Sequence, residues 1–403
     1  MKCRLRLIAL LAGLTVTTSC AVEPPSEADR HKVTVGIINS YSGALANFGP
    51  AWEAGYRAGL AVLTGGTGTV DGIRIEIEVR NDNGDPATGS NAAKELLGTG
   101  AKIIAGTTVT PVVLRVAQLA QENESIFIAG PTGTSQILGM GPGIFRSGQN
   151  SGQLVRTAVK AAKDAGAKSI TYVGQDYAYG QTAAAELTAA ARDLGMTGGQ
   201  LLLPTGTQDF TAGVARLMSE RPGAVFVGWA GKGLNQLLGA LHAQGALDPG
   251  SGMKVMSGAP DRPTYEQFAA AVGPEALPNM VLISHYAEGT AGTDAERQML
   301  QQIAGRRPPI DYQQADGYLA AQMTVAAIKA AGAGLDVATV NRALSGTTFQ
   351  SVEGDITIRP EDHLVLSPNI ETRLVRQDGQ WRQRLVRTFD AEDIATPVGR
   401  KIQ

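Results

Sequence analysis

The chain has 403 residues, with 35 Lys and Arg against 37 Asp and Glu, a formal net charge of −2 at pH 7, and 43% hydrophobic and 18% charged residues. That balance gives no electrostatic footprint for nucleic acid or an anionic membrane surface, and the length favours two lobes over one. Its two cysteines are Cys3 and Cys20, so a disulfide, a cysteine nucleophile and a thiolate metal site are excluded from the body of the chain.

Residues 1–6 carry three positive charges, residues 7–16 are almost wholly apolar, and Thr17, Thr18, Ser19 and Cys20 follow. A basic start, a short apolar core and small residues before a cut are the layout of a secretory signal. The apolar stretch is too short to span a bilayer, which takes ~20 residues. Ending on cysteine predicts a lipoprotein signal over residues 1–19, with the Cys20 thiol acylated; plain secretion is the alternative. Residues 20–32 are polar and contain two prolines, a tether between lipid and fold.

From Val33 onward strand and helix patterns alternate. Val33–Ile38 is a short apolar run, and Trp52–Leu63 has helical periodicity. Ile73, Ile75, Ile77 and Val79 alternate with Arg74, Glu76 and Glu78, a strand of period two. Asp85-Pro86 predicts a helix start, with Asp as the cap and Pro in the first turn. Strands at 103–105 and 125–129 flank a helix over 111–121. A second series predicts helices at 151–165, 181–194, 210–220 and 234–244 between strands at 169–173, 200–203, 224–227 and 254–257. A strand at 281–284, helices at 294–304, 312–331 and 337–344, and strands at 355–358, 372–375 and 381–386 close the pattern. Strands separated by helices of this length imply parallel sheets with right-handed crossovers, and two series imply two α/β lobes.

In such sheets a ligand binds beyond the carboxyl ends of the strands. No Gly-rich dinucleotide loop, phosphate loop or nucleophile elbow follows any strand. Residues 81–85 have the composition of a calcium loop, but with Gly84 in place the register puts Val79 first and Ser90 last, so the pattern fails. His31, His242, His285 and His363 are scattered without ligand spacing and read as structural or solvated. No cofactor or metal site is expected. The loop from Gly106 to Pro111 holds three threonines at a helix start, and the loop from Gly130 to Ser135 repeats the arrangement one strand later. Hydroxyls and free amides there suit an anion, or serve simply as helix caps. Aromatics gather in the same class of loops: Tyr41, Phe48, Tyr177, Tyr179 and Trp229. Asp261, after the strand at 254–257, meets a ligand ammonium or caps the next helix.

Taken together, the opening Val-Gly-Ile run, Ser42-Gly43, Phe48-Gly49, Asp82 with Asp85-Pro86, Gly106 with Thr110, Asp176 to Gly180, Tyr312 with Asp316-Gly-Tyr318, and Arg359 with His363 resemble the Leu/Ile/Val-binding receptor family. The resemblance covers about Val33–Arg387. It implies the type I periplasmic-binding-protein fold: two doubly wound parallel-sheet lobes joined by a three-segment hinge. The implied lobes are 33–146 with 285–350 and 147–284 with 351–390, and residues 391–403 form a tail. The expected crossings lie near Arg146–Gly148, Ile283–His285 and Phe349–Gly354. By resemblance Thr110, Gly133 and Thr134 hold a ligand carboxylate, Phe48 and Tyr179 pack over the ligand, Trp229 stands at a variable position, and Asp261 is the candidate for the ammonium. The implied function is an extracytoplasmic solute receptor of an ABC importer, not an enzyme. Its ligand would be an amino acid, amide or small organic acid, its protein partner a permease, and its membrane contact the lipid on Cys20. A sensor of the same fold and a secreted α/β enzyme are the alternatives.

Overall fold

The structure is a computed structural model; it describes residues 31–43, 45–258, 261–303 and 310–402. The predicted signal and all but the last two residues of the tether, Cys20 included, lie outside the described residues.

Six strands form the first sheet: β1 (Lys32–Asn39), β2 (Thr69–Val70), β3 (Ile73–Asn81), β4 (Ile103–Gly106), β5 (Ile126–Ala129) and β6 (Ile144–Arg146). Their order is β2-β3-β1-β4-β5-β6, and only the short β2 runs antiparallel to its neighbour. Because side chains alternate across a strand, one apolar run feeds two cores. Val35, Ile37, Ile103 and Ile128 point to one face, and Ile38, Ile104 and Phe127 to the other. This explains why β1 reads as unbroken hydrophobicity: helices cover both sides.

The second sheet contains β7 (Ser169–Gln175), β8 (Thr197–Leu203), β9 (Ala224–Gly228), β10 (Lys254–Gly258) and β11 (Val281–Ser284), all parallel to their neighbours. The same parity split recurs: Val225, Val227 and Val255 face one core, Ala224, Phe226 and Met256 the other. Three more strands, β12 (Thr348–Ser351), β13 (Gly354–Ile358) and β14 (Val365–Leu366), form a small antiparallel sheet. Then β15 (Asn369–Gln377) and β16 (Gln380–Phe389) add an antiparallel hairpin to the edge at β11, giving the order β16-β15-β11-β10-β9-β7-β8. The α/β class and parallel-dominated sheets are therefore as expected, with an antiparallel tail on the second sheet.

The chain passes between the two bodies three times. After β6 it enters helix Ser151–Asp164, whose Val155 and Val159 pack in the second core. After β11, Tyr286 packs with Ala58 and Tyr318 on the first body. The third passage differs from the expected 349–354. Ile356, Ile358 and Val365 pack in the first core, and β15 is the next element in the second sheet, so the passage falls at Ser367–Pro368. The alternating apolar pattern at 355–358 identifies a strand, but any apolar face satisfies it, and the first core has the space. Helix Pro86–Gly98 starts as predicted, with Asp85 accepting a hydrogen bond from Thr88 N at 2.8 Å.

His363 locks the small sheet to the first body. It is 1% exposed and stacks on Phe145 at 4.0 Å between centroids. Its Nδ1 donates to the Ile144 carbonyl at 2.8 Å, and Nε2 accepts from Ser345 Oγ at 2.9 Å. Burial depresses its pKa to about 4, from 6.5. A depressed folded pKa means the unfolded chain binds the proton first, so the contribution is complete above pH 6.5 and is lost as pH falls toward 4. Urea denaturation at stepped pH should show on the order of 3 kcal/mol lost across that window. His363→Leu should flatten the loss; an equal slope in that variant would remove His363 as its cause.

Candidate functional site

A cavity of about 640 Å³ lies between the two large sheets, at the carboxyl ends of their strands. That volume suits a small organic molecule. The first body supplies the loops after β4 and β5 and the passage after β6. The second body supplies the loops after β7, β9 and β10.

Six of the seven expected residues line this cavity. Phe48 opens helix Phe48–Leu63 and meets Tyr312 edge-on, with centroids 6.5 Å apart. Thr110 is the first residue of helix Thr110–Glu122 and is 2% exposed. Gly133 sits so close to Tyr179 that an added Cβ would lie 2.6 Å from Cε2 of that ring, which is how a loop of the first body admits a ring from the second. Tyr179 is not in a loop. The helix starts at Ala178, three residues earlier than the periodicity indicates, so the ring is held by the first helical turn. Trp229 is 4% exposed, lies edge-on against Phe210, and donates Nε1–H to the Lys232 carbonyl at 2.8 Å. Its polar end is thus satisfied locally, and only the ring face is offered. Asp261 accepts a hydrogen bond from Asn47 Nδ2 of the opposite body and makes no cap bond to the short helix that follows.

Thr134 is the seventh, and it is not part of the wall. Its carbonyl accepts from Arg146 Nη1 at 2.6 Å, and its hydroxyl accepts from Gln136 N at 3.3 Å, so it holds the loop that carries Gly133.

The wall also contains residues that the sequence reading did not single out as a site. Thr108 Oγ1, Gln149 Oε1 and Asn150 Nδ2 are buried side-chain atoms without a partner among the described residues, and all three residues line the cavity. Asn150 and Gln149 are 1% and 7% exposed, so water does not make up the shortfall freely. Asn150 Oδ1 is engaged: it accepts from Gln153 N at 2.9 Å as the cap of helix Ser151–Asp164, which turns the amide nitrogen away from that helix.

His285 and Asp316 line the cavity too, and they join Glu353 beneath it. His285 Nε2 lies 2.8 Å from Asp316 Oδ1 and 3.8 Å from Glu353 Oε1. Burial alone would push the imidazole pKa down; the charges of Glu353 and Asp316 and the hydrogen bond outweigh it and lift the value to about 9. The ring is therefore cationic at neutral pH. These three groups lie within 4.8 Å of one another, the one such set among the described residues. Its imidazole is already spent on Asp316, so it is a buried ion network and not a set of open metal ligands. Arg146 completes the balance nearby: buried and adjacent to Asp316, it donates to the carbonyls of Gly148, Thr132, Thr134 and Gln149. Two signals did reach toward this cluster: His285 falls on an expected crossing, and Asp316 belongs to the Tyr312–Tyr318 resemblance. Spacing could not show that they meet.

Direct hydrogen bonds join the two bodies. Besides Asn47 with Asp261, Gln136 Nε2 donates to Thr182 Oγ1 at 2.9 Å and Arg262 N donates to Asp311 Oδ2 at 2.9 Å.

Residues 32–379 match the family model described as periplasmic binding protein. The Leu/Ile/Val-binding protein homolog 3 of Brucella melitensis is 25% identical over 365 residues, which cover 87% of this chain and 92% of that protein. A solute-binding protein of an ABC transporter from Rhodopseudomonas palustris, solved in complex with p-hydroxybenzoic acid, is 25% identical with a TM-score of 0.81 over 89% of this chain and 97% of that one. An ABC-type branched-chain amino acid transporter protein from Rhodopseudomonas palustris is 28% identical, with a TM-score of 0.77 over 92% of this chain and all of the other. With two α/β bodies, three passages between them and a cavity at the strand ends, the chain belongs to the periplasmic binding protein family.

Proposed function

We propose that this chain is an extracytoplasmic receptor that captures a small carboxylate between its lobes and presents the closed form to an ABC permease. The carrying observation is the interlobe cavity, whose wall sets the Thr110 helix start beside the unpaired donors of Thr108 and Asn150. A helix N-terminus with free hydroxyl and amide donors stabilises an anion through its dipole and unpaired N–H groups. Lobe one comprises 33–146 with 285–366, and lobe two 147–284 with 369–390. Opening requires the hydrogen bonds between the lobes to part, and a ligand that touches both lobes favours the closed form by its differential affinity. Relatives with p-hydroxybenzoic acid and with branched-chain amino acid transport in their descriptions share one feature, a small ligand bearing a carboxylate.

The test is native mass spectrometry and a thermal-shift screen of amino acids, amides and small carboxylates on protein lacking residues 1–20. A ligand at 100 times its Kd stabilises the fold by about 2.7 kcal/mol. Thr110→Val should weaken that ligand by ~1–3 kcal/mol in calorimetry, because a charged acceptor is left without its donor. Unchanged affinity would remove Thr110 from the site.

The signal pattern supports a lipid anchor at Cys20, which keeps the receptor near its permease. Cys20→Ser should move the protein from the membrane fraction to the soluble fraction; retention in the membrane fraction would mean another anchor.

A further inference from the structure

Of the buried side-chain atoms without a partner among the described residues, three belong to residues of the cavity wall: Thr108 Oγ1, Asn150 Nδ2 and Gln149 Oε1. They are not equivalent. A threonine hydroxyl donates or accepts, but an amide nitrogen only donates and an amide oxygen only accepts. Which end of each amide is left over follows from what holds the other end. The Gln153 N–H can only donate, so the Asn150 atom that meets it at 2.9 Å is Oδ1, and Nδ2 remains. The carbonyls of Ser367 and Pro368 can only accept, so the Gln149 atom 3.3 Å from each of them is Nε2, and Oε1 remains. Ser367 Oγ adds a third bond to that nitrogen at 3.1 Å. The backbone of Gln149 is held as well, because its carbonyl accepts from Arg146 Nη2. Gln149 thus links the first passage between the lobes to the third, and its amide cannot flip without losing every one of those side-chain bonds.

Thr108 and Asn150 have donors for the carboxylate of the receptor reading. Gln149 Oε1 has none, and a carboxylate oxygen brought to it would set two acceptors against each other. A solute with acceptors alone would therefore leave this oxygen buried and unpaired, which costs the desolvation of the group with no bond in return. We infer that Gln149 is a specificity-determining residue of the cavity: its Oε1 accepts a hydrogen bond from an O–H or N–H group of the solute, so the receptor selects carboxylates that carry a hydrogen-bond donor over those that carry none. The inference rests on the receptor reading above and narrows the ligand class for the same cavity. Ser367 and Pro368 are positioning residues, since their carbonyls decide which end of the Gln149 amide is left for the solute.

The experiment is calorimetry at pH 7 with two pairs of probes in which a methyl group replaces a hydroxyl. The pairs are 4-hydroxybenzoate against 4-methylbenzoate and 2-hydroxy-4-methylpentanoate against 2,4-dimethylpentanoate. In each pair that binds, the hydroxy acid should be held ~10–100-fold more tightly, the reach of one buried acceptor left unpaired. Gln149→Met keeps the length of the side chain and removes the acceptor, so the preference should fall to within ~2-fold. A merely structural role would weaken both members of a pair alike and leave their ratio unchanged. If Gln149→Met does not fold, the wild-type ratios decide the matter. Methyl probes held as tightly as their hydroxy partners, or a ratio unchanged in Gln149→Met, overturn the inference and leave the receptor reading intact. Silence from all four probes overturns the inference; silence from the whole solute screen as well removes the receptor reading with it.

Discussion

Arg146→Met is expected to destabilise the protein by about 3–5 kcal/mol, the range for removing one member of a buried, fully hydrogen-bonded charge set. Arg146 is 1% exposed. Its Nε donates to the Gly148 carbonyl at 2.6 Å, Nη1 to that of Thr134 at 2.6 Å, and Nη2 to that of Thr132 at 2.7 Å and to that of Gln149. Methionine fills similar volume but leaves four buried carbonyls without donors, each with a desolvation penalty. It also withdraws a positive charge that opposes the burial-driven rise of the Asp316 pKa. Burial lowers the guanidinium pKa to about 10, which leaves it charged at neutral pH. The consequence reaches the cavity, because Thr132 and Gln149 line the wall and Arg146 ties their carbonyls together. Arg146→Lys should recover little, since one ammonium cannot address four carbonyls spread over a planar fork. Urea midpoints at pH 7 measure the effect, and a loss below about 1 kcal/mol for Arg146→Met would show that water replaces the guanidinium.

Gly55→Ala is expected to cost about 3 kcal/mol, at the upper end for overpacking. An added Cβ would sit 1.9 Å from the Gln314 carbonyl oxygen and 2.6 Å from its carbonyl carbon and Cα. Those are backbone atoms, so no rotamer change gives relief. Gly317 reciprocates: a Cβ there would lie 2.0 Å from the Trp52 oxygen. Helices Phe48–Leu63 and Tyr312–Ala331 therefore touch backbone to backbone through two glycines. Adding one methyl must push them apart, and they carry Phe48 and Tyr312, whose rings meet edge-on in the cavity wall. Gly55→Ala should thus weaken ligand binding as well as lower the melting temperature. Gly55→Ala with Gly317→Ala should cost less than the two single losses added together, because one separation of the helices relieves both clashes. Strict additivity in the double variant would argue that the two contacts yield independently.

Much of the architecture was legible in local pattern. Period two at Ile73–Val79, the short apolar runs of β1, β4 and β5, and the Asp85-Pro86 start each report a property of a few neighbouring residues, and strands divided by helices imply parallel pairing. The loops after the strands were legible as a site for the same reason: in such sheets their position follows from the order of elements. Thr110, Phe48 and Gly133 line the cavity between the two sheets.

The roles of the polar groups were decided only by tertiary structure. Asp261 carries the same charge whether or not Asn47, 214 residues away in sequence, occupies it. Trp229 offers a ring and no N–H because the Lys232 carbonyl reaches it first. Ile356 and Ile358 read as a strand from their spacing, yet which core receives them depends on which has room. His285 is the clearest case. In sequence it is one of four scattered histidines, and its ordinary pKa would leave it mostly neutral at pH 7. Charge on that ring depends on the nearness of Asp316 and Glu353, 31 and 68 residues further along the chain. Local sequence determines which backbone forms, because propensity and periodicity act over a few residues. Donor, acceptor and charge balance in a cavity depends on distances of 3–4 Å between residues far apart in sequence, and those distances exist only once the chain has folded.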